Sequence, residues 1–201
     1  MGQARNAAKQ YWVAVKAMLV FTVVLGLAYP LVILGIGQGA LPAQANGSLE
    51  EVGGRTVGSA LIGQSFSDAD GNPLPEWFQP RPSAAGDGYD AAASSGSNLG
   101  PENTDLITAI DERRAQVAEF NGVPASEVPV DALTASSSGL DPHISPEYAL
   151  LQVQRVADER GLSADDVRAL VESKIQARDA GYLGEPTVNV LQLNAAVAEM
   201  G

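Results

Sequence analysis

"AMLVFTVVLGLAYPLVILGI", residues Ala17 to Ile36, is a run of 20 uncharged, mostly apolar residues. At about 1.5 Å of rise per residue, a helix of this length covers about 30 Å, the thickness of one hydrocarbon core. That reading divides the chain. It predicts a transmembrane helix over 17–37, a short segment 1–16 ahead of it, a linker over 38–54 and a folded domain over 55–201. Gly26 and Pro30 lie inside the span. Membrane helices tolerate both when neighbouring helices satisfy the freed backbone groups, so Pro30 points to a helix with a packing partner. Tyr11 and Trp12 stand at its leading edge, where aromatic rings favour the headgroup level.

Charge is distributed to match. Arg5, Lys9 and Lys16 precede the span, and the first carboxylate is Glu50. From Glu50 onward there are 9 basic and 24 acidic residues, a net charge of −15. By the positive-inside rule the N-terminus is cytoplasmic and the acidic domain extracytoplasmic, in a single-pass protein of the cell membrane. The competing reading is a signal peptide cut after "AQA" (Ala43 to Ala45), which releases a secreted binding protein. The apolar run exceeds the ~7–15 residues of a signal core, which favours a retained anchor. An acidic domain excludes nucleic acid as a partner, because phosphate binding needs a basic stripe. The absence of cysteine excludes disulfides and thiolate metal sites. "GIGQGA" (Gly35 to Ala40) fits a dinucleotide fingerprint, but Leu41-Pro42 follows where a helix would have to begin. It reads as a flexible exit from the membrane.

The domain reads as α+β, with about four helices and two or three short strands. Thr56 to Phe66 is expected as a strand, and Val128 to Thr134 as a short edge strand carrying Pro129. Residues 65–103 form a long irregular stretch rich in Ser, Gly, Pro, Asp and Ala. Within it "DADGN" (Asp68 to Asn72) departs from a calcium loop at the glycine position and reads as a turn. Thr104 to Gly122 is expected as a helix burying Leu106, Ile110, Val117 and the stem of Arg114. Ser145-Pro146-Glu147 starts the next, with Ala149, Leu150, Val153, Val156 and Ala157 inward and Gly161 as its stop. Ser163 and Asp166 form a capping box for a helix that buries Val167, Leu170, Val171 and Ile175. Asn189 and Gln192 open the last one, which bears Val190, Leu193 and Val197.

"TASSSGLDPHISPEY" (Thr134 to Tyr148) holds three consecutive serines, an aspartate and the only histidine. These are the parts of a nucleophilic triad, and they raise the alternative of a membrane-tethered Ser-His hydrolase. A triad needs a serine on a sharp elbow and a histidine brought from elsewhere in the chain. No G-x-S-x-G occurs, and neighbours within ten residues do not converge. The stretch therefore reads as a turn and a helix cap.

Six stretches in order carry a resemblance. They are "YPL" (Tyr29 to Leu31), "GSALIGQ" (Gly58 to Gln64), "WFQPRPSA" (Trp77 to Ala84), "SGSNLGPEN" (Ser95 to Asn103), "TASSSGLDPHISP" and "LGEPTVNVLQLN" (Leu183 to Asn194). Over nearly its whole length the chain resembles the C subunit of the bacterial Kdp potassium-transporting P-type ATPase. Ser137 stands where that family usually has glycine, and Glu102 where threonine is common. The resemblance implies an accessory, non-catalytic subunit. Its partners would be a potassium-conducting, channel-like subunit and a P-type subunit that hydrolyses ATP. ATP and potassium would be handled by the complex, with no cofactor held directly here. The chain would raise the complex's ATP affinity indirectly. Within the motifs Pro30, Trp77, Phe78, Arg81, Ser83, Ser97, Asn98, Asp141 and His143 are candidate interface or structural residues. A docking loop over 77–103, with Arg81 as its anchor on the partner, is expected.

Overall fold

The computed structural model describes residues 2–200. The chain falls into two units, Met1–Ser48 and Leu49–Gly201. In the first, α1 (Gly2–Val23) and α2 (Tyr29–Ala40) are joined by a π-helical turn, Val24–Ala28. The Tyr29 N–H bonds to the carbonyl of Val24, five residues back. This widening stands one residue ahead of Pro30, whose ring would otherwise meet the preceding turn. The widened turn thus fits the proline into an otherwise continuous helix. Asn6–Ala40 is 35 residues long and apolar enough to cross a membrane, and nothing in its most apolar window is buried within the chain.

The stretch expected as a linker is more ordered than its composition implies. "GIGQGA" is helical to Ala40, and α3 (Pro42–Ala45) adds one more turn. The expected flexible exit is therefore corrected: the helical hydrogen bonds continue through Gly35, Gly37 and Gly39 as far as Ala40. Strands β1 (Leu49–Val52) and β2 (Arg55–Ser59) then pair as an antiparallel hairpin. Gly53 and Gly54, with φ of 58° and 77°, make its two-residue turn. A tight hairpin of this kind needs positive φ at both centres, which glycine adopts without strain. The domain accordingly begins at Leu49, and the strand expected over 56–66 stops at Ser59, where the chain turns away.

Helix α4 (Thr104–Asn121) is capped by Asn103, whose side chain accepts from the N–H groups of Asp105 and Leu106. Arg114 does not turn inward as expected; it pairs with Asp111 in solvent, while Arg113 donates to the Leu133 carbonyl. The expected edge strand over 128–134 is also corrected. Two 3₁₀ turns, Ala125–Glu127 and Val130–Ala132, occupy that region. Pro129 has no N–H for a ladder, and Thr134 Oγ1 donates back to the Val130 carbonyl instead.

Strand β3 (His143–Ile144) leads into α5 (Pro146–Leu151), α6 (Val153–Arg160) and α7 (Ala164–Ser173). Ser145 caps α5 by accepting from the Tyr148 N–H at 3.0 Å. Gly161, with φ of 64°, ends α6 in the left-handed conformation. Ser163 occupies the cap position of α7 but its side chain makes no capping bond, so the expected box does not form. Asp165 and Asp166 in the first turn favour the positive helix end by charge alone. Strands β4 (Ile175–Gln176) and β5 (Thr187–Asn189) precede α8 (Val190–Ala198). The sheet order is β3-β5-β4, antiparallel throughout, with Val188 opposite both Ile144 and Ile175. Ile175 thus reaches the core from a strand, not from the helix expected. Phe78, Ile144, Val156, Val171, Leu193 and Val197 are among its most buried side chains.

Candidate functional site

The irregular stretch is held in place by side chains of the helices. Gln152 and Asn194 are both essentially inaccessible to solvent. The Asn194 amide accepts from the Phe78 N–H and donates to the Phe78 carbonyl, both at 2.9 Å. The Gln152 amide does the same for Gln79, at 2.7 and 3.1 Å. Two side chains therefore supply the pairing that a neighbouring strand would give, which lets an extended segment cross the core with its polar groups satisfied.

Arg155 completes this arrangement. Only 8% exposed, it donates to Asn121 Oδ1 (3.0 Å), the Trp77 carbonyl (3.0 Å), Gln152 Oε1 (2.7 Å) and the Pro75 carbonyl. Its guanidinium also stands 4.4 Å from the Phe120 ring centroid. Burial brings its pKa down to about 10, so it stays charged at neutral pH. Arg160 covers the Trp77 ring at 4.1 Å. Phe78 is wholly buried, and Trp77 is half-covered against Phe66, so this part of the expected docking loop faces its own core.

The next motif gathers round Asp141. Arg81 donates to Asp141 Oδ2 at 3.0 Å and to the Thr134 carbonyl at 3.3 Å. Its guanidinium is thus engaged within the domain. Asp141 Oδ1 accepts from the His143 N–H at 3.0 Å, and His143 Nδ1 lies 3.4 Å from the same oxygen. Ser83 Oγ donates to the Gly139 carbonyl at 2.7 Å and accepts from the Tyr89 and Ala85 N–H groups. Tyr89 Oη donates to the Arg81 carbonyl at 2.6 Å. Gly63 makes the close approach possible: a Cβ there would sit 2.6 Å from the Asp141 carbonyl oxygen.

Ser97 and Asn98 are exposed further along the loop, where Asn98 has a φ of 53° and donates to the Gly96 carbonyl. The loop is tied down nearby by Ser94 Oγ and the Ser95 N–H, both donating to the Ser138 carbonyl. Pro30 lies apart from these residues, in the N-terminal unit.

None of this is a hydrolytic centre. No serine hydroxyl among the described residues is hydrogen-bonded to His143. Ser138 Oγ accepts from Leu140 N–H, while Ser145 Oγ donates to Asp131 at 2.8 Å. "DADGN" is a turn in which Asp68 Oδ1 accepts from the Asp70 and Asn72 N–H groups.

Burial works to raise the Asp141 pKa, but bonds from the His143 side chain and backbone, then the Arg81 charge, outweigh it and hold the carboxyl below its usual range. The ionised form is therefore favoured by folding. Its contribution is complete above the unfolded value, about pH 4, and is lost as pH falls through the lower folded value. Thermal melts of the wild type and Asp141→Asn from pH 7 down to about pH 2 check this. The gap between them should be widest near neutrality and close below about pH 4; a constant gap would remove the titration from the account.

The described residues thus combine one helix long and apolar enough to cross a membrane with a small mixed α/β domain. The chain matches the KdpC family, described as "K+-transporting ATPase, c chain", over residues 11–199. It is 54% identical over 192 residues to the potassium-transporting ATPase KdpC subunit of Kineococcus radiotolerans, covering 96% of this chain and 94% of that one. The subunit of the same name from Mycobacterium bovis is 51% identical over 190 residues, 94% of this chain and 97% of its own. That of Caulobacter vibrioides is 51% identical over 185 residues, 92% and 90%. The chain belongs to the KdpC family, the accessory, non-catalytic subunits of the potassium-transporting ATPase.

Proposed function

We propose that this subunit joins a potassium-conducting, channel-like subunit and an ATP-hydrolysing P-type subunit, and is needed for their stable assembly. Its N-terminus is cytoplasmic and its domain from Leu49 onward extracytoplasmic. The observation that carries this reading is the Asn6–Ala40 helix, whose most apolar window buries none of its residues and whose basic residues stand at one end only. Such a surface is matched by lipid and by the helices of other membrane subunits. ATP is cytoplasmic, so any effect on its affinity passes through the bound partners as a coupling free energy. The outward part of the 77–103 loop, with Ser97, Asn98 and the 41%-exposed Leu99, is the surface offered to a partner.

The chain has no cysteine, which makes the orientation directly measurable. Ser97→Cys should react with a membrane-impermeant maleimide in intact cells, and Lys9→Cys only after permeabilisation. The tagged chain should also be recovered with two larger membrane proteins. The opposite labelling pattern would overturn the topology, and recovery of the chain alone would overturn the assembly role.

A further inference from the structure

A cleft of about 300 Å³ opens between the 79–89 segment and α4, with Arg81, Arg113, Tyr148, Ser65 and Ser67 among its walls. No carboxylate lines it, in a region whose net charge is −15. Both guanidiniums are held by successive carbonyls, Arg113 donating to Leu133 at 3.0 Å and Arg81 to Thr134 at 3.3 Å. Arg81 pairs with Asp141, but Arg113 forms no ion pair among the described residues, so the cleft presents one guanidinium with no carboxylate in contact. Two polar groups there also lack partners. Arg81 Nε is buried without an acceptor. Tyr148 is 3% exposed, and among the described residues its hydroxyl makes no hydrogen bond to another side chain or carbonyl, which leaves it free to bond what enters the cleft.

Every unused group is a hydrogen-bond donor or can act as one, and the charge is positive. Planar guanidinium donors match the oxygen spacing of phosphate, and hydroxyls satisfy its remaining acceptors. Water could fill the volume but would leave the Arg113 guanidinium without an anion in contact. We propose that this cleft binds a tetrahedral oxyanion, phosphate or a phosphate monoester, held between Arg113 and Arg81 with the Tyr148 hydroxyl as a third donor. Its openness to solvent admits the ester as well as the free ion.

The test is calorimetric titration of the full chain, in uncharged detergent micelles, with inorganic phosphate at fixed ionic strength set by chloride. Phosphate stabilises any protein non-specifically by exclusion from its surface, so the quantity that matters is a saturable isotherm. Saturable binding is expected, weakened at least tenfold in Arg113→Gln and several-fold in Tyr148→Phe, which removes only the hydroxyl. Melting of both variants without phosphate verifies that they fold. If glycerol phosphate binds as tightly, a headgroup-type ester is supported; if only inorganic phosphate binds, the free ion is. A response that does not saturate, or one that both folded variants retain in full, overturns the proposal and leaves a water-filled cleft.

Discussion

Leu31→Arg should abolish recovery of the chain with its partner subunits. Leu31 is 64% exposed within the domain-free helix, one residue past Pro30 and well inside the apolar window. A guanidinium near the middle of a bilayer costs at least about 2.5 kcal/mol, and the apolar run carries no carboxylate to pair with it. The penalty acts twice, on insertion and on the packing of an apolar face against a neighbouring helix. Quantifying the co-purified subunits against wild type, with total chain measured in parallel, separates the two. Undiminished recovery would show that this face meets neither lipid nor partner. The conservative Leu31→Ile should assemble normally.

Arg155→Met should be the most destabilising single change in the domain, by about 3–4 kcal/mol, or roughly 10 °C in melting temperature. Methionine fills similar volume, so the loss isolates the polar role. Four acceptors lose their donor, and the Trp77 and Pro75 carbonyls are left without it inside the fold. Arg114→Met is the control: its pair with Asp111 is exposed at an i,i+3 spacing and should be worth under about 0.5 kcal/mol. Equal melting temperatures for the two variants would refute the buried role of Arg155. A double mutant with Gln152→Leu should fall short of additivity, since Gln152 Oε1 accepts from Arg155.

The features legible in the sequence were the local ones. Ser145-Pro146, Asn189 and Gly161 announce their helix ends because a cap is written within three residues of itself. The Gly53-Gly54 turn was equally available, yet the small and polar residues around it concealed two strands. Strands of two or three residues, such as β3 and β5, show no alternation to detect. Arg155 was missed because arginine in a helix normally marks the solvent face, and here distant acceptors decide otherwise. The Arg81–Asp141 pair spans 60 positions, a separation that periodicity cannot bridge. The ordered motifs pointed to both residues without stating that they meet.

The amide clamp on Phe78 and Gln79 also dictates an order of events. Its two grips span 116 and 73 positions of sequence. Contacts that distant form only after the intervening chain has been closed into a loop, at an entropic cost that local helices do not bear. During synthesis Phe78 leaves the ribosome long before Asn194 exists. Until then its backbone has no partner for half of the clamp, and its ring has no complete core to enter. The clamp on Phe78 therefore closes only once α8, the last of the elements described, has been made.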